Sequence, residues 1–524
     1  MKRVAIAILV VFAASLPVRS DGRIASDFEI ASMQSQLSRS RNPMARVAAL
    51  LNLGDLRHTR GEGALSRESY GRAIEILDAQ RAEGRRRQDL AKYAVATAWR
   101  GLAEAKLGRE SAAFDAFEEA LRYVSDSPGI WNLYASAMTV AGRPEKAVAS
   151  ARNAVMIANA DAGATPLDRH VYEYTLASAL LAMERDRVGE QEAETLLSGI
   201  IESLAGRTFE TLRRRIVRNE EFEILSSTEQ DASAYLALFN RSRLRLARLY
   251  EQSGRPAAAR EQYRAVLAAR SDDAQALGAM ARLTREAADR ERYFEESLDA
   301  NPFSRDLIRE YEAYIAGEHP RSASGSGPGA AVRNALHAQR AGRFREASES
   351  LQPLLARFPE NDVVRFLLAR NAVALGDMKE ADRLETRIRS RALRGELAAI
   401  RSSLVTESID ILERGSDRDP SDQQVRALFL ALQRGSLSAA QVAVLDSLVI
   451  SAVVVFAEGR FSGEETTSFD RGMLHSVPFR FPAPAAFRGR FEGSRVRLEF
   501  RILGATEIEG AAGLLLEPLR ITPS

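Results

Sequence analysis

The five histidines are the first candidates for chemistry, because an imidazole can bind a metal or move a proton near neutral pH. They are His58, His170, His319, His337 and His475. No two of them have metal-ligand spacing, and no His-Glu-x-x-His motif occurs. His475 lies between Asp470 and Ser476, but proximity in the sequence does not establish the geometry of a Ser/His/Asp triad. The histidines therefore predict neither a metal site nor a catalytic site.

The short motifs of several common enzyme classes are also missing from the sequence. No Gly-Lys-Ser or Gly-Lys-Thr occurs, so no phosphate-binding loop is predicted, and no Gly-x-Ser-x-Gly turn occurs either. The absence of cysteine excludes a disulfide framework, a thiolate metal site and a cysteine nucleophile. Adjacent acidic residues such as Glu118 and Glu119 do not face each other on a helix. We therefore expect no enzymatic activity, no cofactor and no bound metal.

Arginine is the remaining residue type that could bind a ligand, because its guanidinium donates paired hydrogen bonds to carboxylates and phosphates. Of the 73 basic residues only five are lysines, and the runs 85–87 and 213–215 consist entirely of arginine. Glu220, Glu221 and Glu223 follow the second run, which is typical of a solvated helix face with ion pairs. Because the net charge is only +2, the chain has no overall positive field. The sequence therefore predicts no nucleic-acid partner.

The N-terminus has the pattern of a secretory signal peptide. Lys2 and Arg3 precede the apolar run 4–16, which is shorter than the roughly 20 residues of a membrane-spanning helix. Ser20 ends a suitable cleavage sequence, with Ser15 as the rival end point and an uncleaved anchor as the alternative. We expect residues 1–20 to be removed and the remaining chain to be exported, to a bacterial periplasm or beyond. No second segment is long and apolar enough to span a membrane.

A period of 34 residues predicts the elements that would position any binding residue. Gly108, Ala113 and Ala120 recur as Gly142, Ala147 and Ala154, and Gly342 and Ala347 recur as Gly376 and Ala381. Such a period on helical sequence is typical of stacked helical hairpins, in which neighbouring repeats bury a continuous core. The period therefore favours a binding scaffold over a catalytic domain.

These positions resemble the tetratricopeptide repeat (TPR) family, in which small residues occupy the helix crossing and glycine the turn. The best matches are 94–127, 128–161, 240–273, 328–361 and 362–395; 47–80 and 274–307 are weaker, and 170–207 fits only with an insertion. Together they cover residues 47 to 395. The resemblance implies a mainly α chain, a helix–turn–helix solenoid, with protein–protein interaction as its function.

The rest of the chain divides into further helix, a linker and a β-rich end. Residues 208–239 and 396–446 are predicted to be helical outside the clear repeats, and 316–330 reads as a flexible Gly/Ser/Pro linker. Polar and apolar residues alternate strictly over 495–502, which predicts a half-buried strand. Further strands are predicted at 448–457, 477–481, 487–491 and 514–521. The predicted order is a signal peptide 1–20, helical blocks 21–315 and 331–446 around the linker, and a small antiparallel β module 447–524.

The resemblance also selects candidate binding residues, because in TPR proteins the first helix of each hairpin lines the concave face. In the earlier repeats these positions hold Leu51, Val95, Leu102, Asn132, Val140 and Tyr174. In the later repeats they hold Arg241, Arg248, Arg282, Arg285, Arg340 and Arg370. The number of arginines at these concave positions is close to what the arginine content of the chain gives by chance. Only their clustering in the later repeats favours an acidic ligand. The residues of the family's carboxylate clamp are not reproduced.

Three functional hypotheses follow. The leading one is an exported TPR scaffold or adaptor for protein–protein interactions in the cell envelope, without catalysis, whose partner is a protein or peptide segment that carries acidic groups. The alternative is an enzyme or ligand-binding activity in the C-terminal β module, with the repeats as a targeting arm. A purely architectural role through self-association is the third.

Overall fold

A computed structural model gives the fold of most of the helical part of the chain and of parts of its C-terminus. It describes residues 27–183, 186–205, 227–317, 327–414, 428, 431, 437, 439–447, 450–457, 460–462, 468–469, 479–480, 494–508 and 511–523. The predicted signal peptide, most of the predicted linker, the arginine run 213–215, His319 and His475 all lie outside the described residues. The chain divides into two compact units, of which one contains residues 1–333 and 358–361 and the other residues 334–357 and 362–524.

The first unit is built from consecutive helices joined by short turns. They are α1 (Asp27–Arg39), α2 (Pro43–Thr59), α3 (Gly63–Arg86), α4 (Leu90–Lys106), α5 (Glu110–Tyr123), α6 (Pro128–Val140), α7 (Pro144–Ala160), α8 (Pro166–Leu180), α9 (Arg187–Ala205), α10 (Ser227–Gln252), α11 (Pro256–Ala269), α12 (Ala274–Leu283), α13 (Ala287–Ala300) and α14 (Arg305–Gly317). The next helix, α15 (Pro328–Arg340), begins in this unit and continues into the second. The predicted linker 316–330 is therefore helical at both of its described ends, since α14 ends at Gly317 and α15 begins at Pro328.

The turns inside the hairpins explain the recurring glycines. Gly108 and Gly142 have φ values of +76° and +70°, which L side chains rarely adopt. After α6, the Arg143 amide donates to the Met138 carbonyl at 2.9 Å, which closes the C-terminal turn of the helix. Pro144 then starts α7 at a position where a missing amide hydrogen costs nothing. The turn position of the 34-residue pattern therefore needs glycine for its backbone conformation.

The small residues of the pattern lie where two helices cross closely. Ala113 and Ala120 on α5 are fully buried, and Gly101 on α4 lies against Phe117 of α5. A Cβ on Gly101 would lie only 2.7 Å from Cε2 of Phe117. Phe117 in turn stacks on Tyr134 of α6, with ring centroids 4.8 Å apart. The core is therefore continuous from one hairpin to the next, as the repeat pattern predicts.

Residues 358–361 belong to the first unit and contact its first hairpin. A side-chain oxygen of Glu360, Oε2, accepts a hydrogen bond from the Ala64 amide at 2.7 Å, close to the start of α3. Nδ2 of Asn361 donates to the Arg60 carbonyl at 3.2 Å. The Arg60 guanidinium lies 5.4 Å from the ring centroid of Phe358. These contacts join positions about 300 residues apart in the sequence, as the separations of 296 and 301 residues show.

The second unit contains the end of α15, further helices and a small sheet. Its helices are α16 (Phe344–Arg357), α17 (Asp362–Ala374), α18 (Met378–Glu385), α19 (Arg391–Arg414) and α20 (Ala439–Ser447). Its strands are β1 (Ile450–Ala457), β2 (Arg460–Ser462), β3 (Ser468–Phe469), β4 (Phe479–Arg480), β5 (Ser494–Ile508) and β6 (Ala511–Pro523). The strand order is β2-β1-β5-β6-β4, and β3 also pairs with β1.

The sheet agrees with the predicted module in its main strands and differs in one pairing. β1 runs antiparallel to β5, with Ile450 opposite Phe500, and β5 forms an antiparallel hairpin with β6. The short β4 pairs with β6 in parallel, so the sheet is mixed rather than wholly antiparallel. Strict alternation identified β5, but it cannot give the direction of a neighbouring strand. The predicted strand 487–491 lies outside the described residues.

The predicted fold class, a mainly α helix–turn–helix solenoid followed by a small β module, is confirmed. The hairpin predicted at 170–207 with an insertion corresponds to α8 and α9. Residues 227–239, predicted as helix outside the repeats, form the beginning of α10. Among the described residues, no helix has both the length and the apolar character needed to cross a membrane.

Candidate functional site

Three arginines of α10 lie on one face of that helix. Arg241, Arg245 and Arg248 are spaced i, i+4 and i+7, which places their side chains next to one another along the helix. All three are half-buried, whereas Leu244 and Leu246 between them are buried. Because α10 packs against both α8 and α9, its leucines anchor the helix and hold the arginine face in place. The sequence predicted Arg241 and Arg248 for this surface and missed Arg245, which the i+4 spacing from Arg241 could have identified.

Arg243 has a different role on another face of α10. Its Nη1 atom donates to Oε1 of Gln262 on α11 at 2.8 Å, and its guanidinium lies 4.5 Å from the ring centroid of Phe239. Burial holds the pKa of Arg243 below its ordinary value. This arginine therefore joins the two helices of one hairpin and takes no part in the arginine face.

Tyr174 of α8 lies beside the arginine face. Its helix is fixed by a capping box, in which Thr165 Oγ1 accepts from the Asp168 amide and Asp168 Oδ2 accepts from the Thr165 amide. Burial would raise the pKa of Tyr174, but the positive charges of Arg245 and Arg241 hold it below its ordinary value. The hydroxyl of Tyr174 therefore lies in a positive field.

Arg248 is the last member of this group, and it is hydrogen-bonded to a neutral side chain. Its Nη2 atom donates to Oε1 of Gln275 on α12. Burial lowers the pKa of Arg248, and the neighbouring Arg245 lowers it further, against the opposing effect of Tyr263 and Asp273. The guanidinium of Arg248 keeps its positive charge at neutral pH despite this shift. We call Tyr174, Arg241, Arg245 and Arg248 the Tyr174 site.

The acidic groups that act electrostatically on Arg248, Asp273 and Glu251, have other hydrogen-bond partners. Asp273 caps α12, because its Oδ1 atom accepts from the amides of Gln275 and Ala276 at 3.1 and 2.9 Å. Glu251 accepts from Tyr263 through a hydrogen bond of 2.9 Å and pairs with Arg282. The described acids therefore compensate Arg248 only at a distance.

Arg282, a predicted binding residue, is paired inside the repeat array. Its Nε and Nη2 atoms donate to Glu251 at 2.8 and 3.1 Å, and its Nη1 atom donates to Glu310 of α14 at 2.7 Å. Burial would lower the pKa of Arg282, but these two carboxylates raise it above its ordinary value. Burial would likewise raise the pKa of Glu251, which Arg282 holds below its ordinary value. The pairing makes Arg282 a tie between α10, α12 and α14.

The other three predicted arginines lie apart from the Tyr174 site along the chain. Arg285 is exposed just after the end of α12. In the second unit, Arg340 is exposed and ends α15. Arg370 of α17 donates to Gln339, and its guanidinium lies 6.0 Å from the ring centroid of Phe366. Their role in partner binding stays a prediction.

Of the six positions predicted for the earlier repeats, three are buried, and two others, Val95 and Tyr174, are half-buried. Leu51 is 1% exposed, Leu102 5% and Asn132 0%, whereas Val140 is 43% exposed. The first three therefore pack between helices and cannot serve as surface anchors for a partner. Position along a repeat identified the helix correctly, but it did not determine how closely the neighbouring helices cover each side chain.

His170 forms a relay that the sequence did not reveal. Its Nδ1 atom lies 2.9 Å from Oε2 of Glu173, and its Nε2 atom lies 2.9 Å from Oγ of Ser203. This is the order of groups in a serine hydrolase triad. Ser203 lies on α9 and His170 on α8, so these hydrogen bonds also join the two helices. We expect the relay to serve the packing of α8 against α9.

The described residues also show no arrangement suited to a metal. No group of three or more histidine, aspartate or glutamate side chains in the described part of the chain could hold a metal ion.

The hairpins define an α-helical repeat protein, and comparison with known families specifies which kind. Tetratricopeptide repeat models match residues 241–273 and 338–404. The chain therefore contains tetratricopeptide repeats. The first match coincides with the predicted repeat 240–273, and the second overlaps the predicted repeats 328–361 and 362–395. No curated protein sequence matches the chain significantly.

Several solved structures are similar to this chain at low sequence identity. The apo form of the quorum sensor NprR from B. thuringiensis is 14% identical over 68% of this chain and 90% of its own, with a TM-score of 0.30. A human IFIT1 dimer with m7Gppp-AAAA is 12% identical over 82% of this chain and 89% of its own, with a TM-score of 0.32. Yeast Tom70 is 13% identical over 69% of this chain and 96% of its own, with a TM-score of 0.23.

Tetratricopeptide repeats support a role as a scaffold for protein–protein interactions. Stacked hairpins bury their core between neighbours and leave an extended surface on which a partner can lie.

Proposed function

We propose that this chain is an exported scaffold or adaptor that binds a segment of another protein in the cell envelope, without catalysis. The observation that carries the proposal is the array of hairpins with a basic face on α10. A partner lying along the first helices of the hairpins would meet a series of side chains held by rigid elements. The pattern of residues 1–20 supports export of the chain.

The partner segment carries acidic groups. The Tyr174 site offers guanidinium groups on one face of α10, and the described partner of Arg248 is the neutral amide of Gln275. An acidic protein segment matches these donors better than a nucleic acid does, because the chain has a net charge of only +2.

The test is a cross-linking capture from envelope extracts with two forms of the protein. One form contains residues 21–524, and the other ends at residue 446, before the β module. A partner that both forms retain supports binding by the repeats. A partner that is lost on truncation assigns the interaction to the β module and refutes the proposal.

Export needs a separate measurement. A fusion of residues 1–20 to a reporter that is active only outside the cytoplasm should be active. A variant with Lys2 and Arg3 replaced by glutamate should reduce that activity, because the charged residues orient the signal. An inactive wild-type fusion would refute export.

A further inference from the structure

The start of α3 is capped by a residue from far along the chain. The first amides of a helix have no partners within the helix, and the side chain of the N-cap residue commonly accepts from one of them. Glu62 occupies the N-cap of α3, and its side chain makes no such hydrogen bond. Glu360 accepts from the Ala64 amide instead, through a hydrogen bond of 2.7 Å. The first turn of α3 therefore depends on a carboxylate that lies 296 residues away in the sequence.

Residues 358–361, which we call the strap, form a tight turn that presents this carboxylate. The Asn361 amide donates to the Phe358 carbonyl at 3.0 Å, and Pro359 occupies the second position of the turn. Proline favours that position, because its ring fixes φ near the value that the turn requires. Nδ2 of Asn361 also donates to the Arg60 carbonyl at 3.2 Å. The strap thus binds the α2–α3 turn with groups that its own backbone already orders, which reduces the entropy lost on contact.

The α2–α3 turn leaves room for the strap only because it contains a glycine. Gly61 has a φ of +74°, and a Cβ added to it would lie 2.6 Å from Nδ2 and 3.1 Å from Cα of Asn361. Gly108, in the turn between α4 and α5, has a φ of +76°, but a Cβ added there would reach no described neighbour within 4 Å. The two glycines therefore share the same backbone requirement, and Gly61 alone of this pair is also in close contact with the strap.

The strap also contacts the loop between α13 and α14. The ring of Phe358 packs edge-on against that of Phe303, with centroids 4.9 Å apart, and Phe303 is buried. The Arg60 guanidinium lies 5.4 Å from the centroid of the same Phe358 ring. One aromatic side chain of the strap therefore touches both the α2–α3 turn and the α13–α14 loop, and all of these residues belong to the first unit.

Contacts of this kind change how an array of hairpins opens. When each repeat touches only its neighbours, the hairpins near the ends lack support on one side and open most easily. The hairpins α2–α3 and α13–α14 are separated in the sequence by the helices α4 to α12, and the strap contacts both of them. Opening either hairpin removes contacts that hold the strap, and the other hairpin then loses the support of the strap as well.

We propose that the strap is a conformational device that couples the α2–α3 hairpin to the α13–α14 hairpin, so that the two open and close together. Release of the strap removes the remote cap of α3, the close contact at Gly61 and the packing against Phe303 in one step. The coupling is a property of the first unit itself and does not depend on which partner the chain binds.

Hydrogen exchange of the full exported chain, followed by mass spectrometry, tests the coupling from both sides. Gly61→Ala strains the α2–α3 turn and displaces Asn361, so it should release the strap from this side. A peptide that contains the Ile308 amide, in the first turn of α14, should then exchange roughly fivefold faster. Gly108→Ala is the matched control, because it imposes the same backbone strain away from the strap, and it should leave this exchange within about twofold.

The second arm of the experiment perturbs the strap from the α13–α14 loop. Phe303→Leu keeps an apolar side chain but removes the ring against which Phe358 packs. It should speed exchange of the Ala64 amide roughly fivefold, since the strap that caps α3 loses its aromatic contact. The matched control is Phe294→Leu, at a buried phenylalanine of α13 whose ring packs with those of Tyr311 and Tyr314, and it should leave this exchange within about twofold.

Faster exchange at the distant hairpin in both test variants, with both controls unchanged, would establish the coupling. Either of two results would overturn it: equal exchange of the Ile308 peptide in Gly61→Ala and Gly108→Ala, or equal exchange of the Ala64 amide in Phe303→Leu and Phe294→Leu. Circular dichroism melting should show that each variant is folded. If Gly61→Ala does not fold, the comparison of Phe303→Leu with Phe294→Leu decides the question alone.

Discussion

The crossing of α4 and α5 allows a test in which the same substitution has opposite effects at two glycines. Gly71 lies inside α3, and a Cβ added there would meet no atom within 4 Å. Gly101 lies inside α4, where a Cβ would be 2.7 Å from Cε2 of Phe117 and 3.1 Å from the Ala113 carbonyl oxygen. Replacing glycine by alanine in a helix interior gains about 1 kcal/mol, because the unfolded chain loses conformational freedom.

At Gly71 this gain should be the whole effect, so Gly71→Ala should stabilise the protein by up to about 1 kcal/mol. At Gly101 the new methyl must displace the Phe117 ring, which is fully buried and stacked on Tyr134. Such overpacking costs about 1 to 3 kcal/mol, so Gly101→Ala should be destabilising by up to about 2 kcal/mol after the helix gain is subtracted.

Urea denaturation followed by tryptophan fluorescence suits this comparison, because both tryptophans, Trp99 and Trp131, lie in α4 and α6. They therefore report on the part of the array that contains the Gly101 crossing. The midpoint should rise for Gly71→Ala and fall for Gly101→Ala. If Gly101→Ala is as stable as Gly71→Ala, the close approach of α4 and α5 is not what requires glycine at this position, and the explanation of the repeat pattern by helix crossing fails.

Three further predictions concern other contacts of the array. Glu360→Gln removes the negative charge near the start of α3 and should destabilise the first hairpin by about 1 kcal/mol, seen as faster hydrogen exchange of the Ala64 amide with that of Tyr134 unchanged. Arg282 holds the pKa of Glu251 below the ordinary 4.5 despite burial, so the ionised carboxylate stabilises the fold above that pH. This contribution is lost as the pH falls through the lower pKa of the folded state. A urea midpoint for Glu251→Gln that declines in acid as steeply as that of the wild type would contradict this. A fluorophosphonate probe should leave Ser203 unlabelled, as detected by mass spectrometry, and labelling that depends on His170 would show that the relay is catalytic.

Residues with a local structural requirement made the helical part of the fold predictable. The glycines of the turns need positive φ, and the alanines of the crossings need small volume, so both recur with the repeat itself. The alternation of polar and apolar residues in 495–502 identified β5, because successive side chains of a strand point to opposite faces of the sheet. The parallel pairing of β4 with β6 could not be predicted, because strand direction depends on the path of the chain between strands.

The candidate site was only partly predictable, because its properties depend on which partners the fold brings to each arginine. Position along the repeat placed Arg241, Arg248 and Arg282 on first helices of hairpins. It could not show that Glu251 and Glu310 come from separate helices to pair with Arg282. Nor could it show that Tyr174, about 70 residues earlier in the chain, lies beside Arg245. Arginines on the first helices of different hairpins thus differ in the folded protein in the charges that surround them.

This difference in surroundings connects the stability of the array with its proposed function. An arginine that is paired within the chain, as Arg282 is, stabilises the packing of neighbouring helices but has little left to offer a ligand. An arginine held by a neutral group keeps its charge available while its side chain is already ordered, as for Arg248 beside Gln275. A scaffold needs both kinds, because the first keeps the hairpins in register and the second provides affinity for a partner. The division of arginines between α10 and α12 is therefore the feature on which partner recognition by this chain should depend.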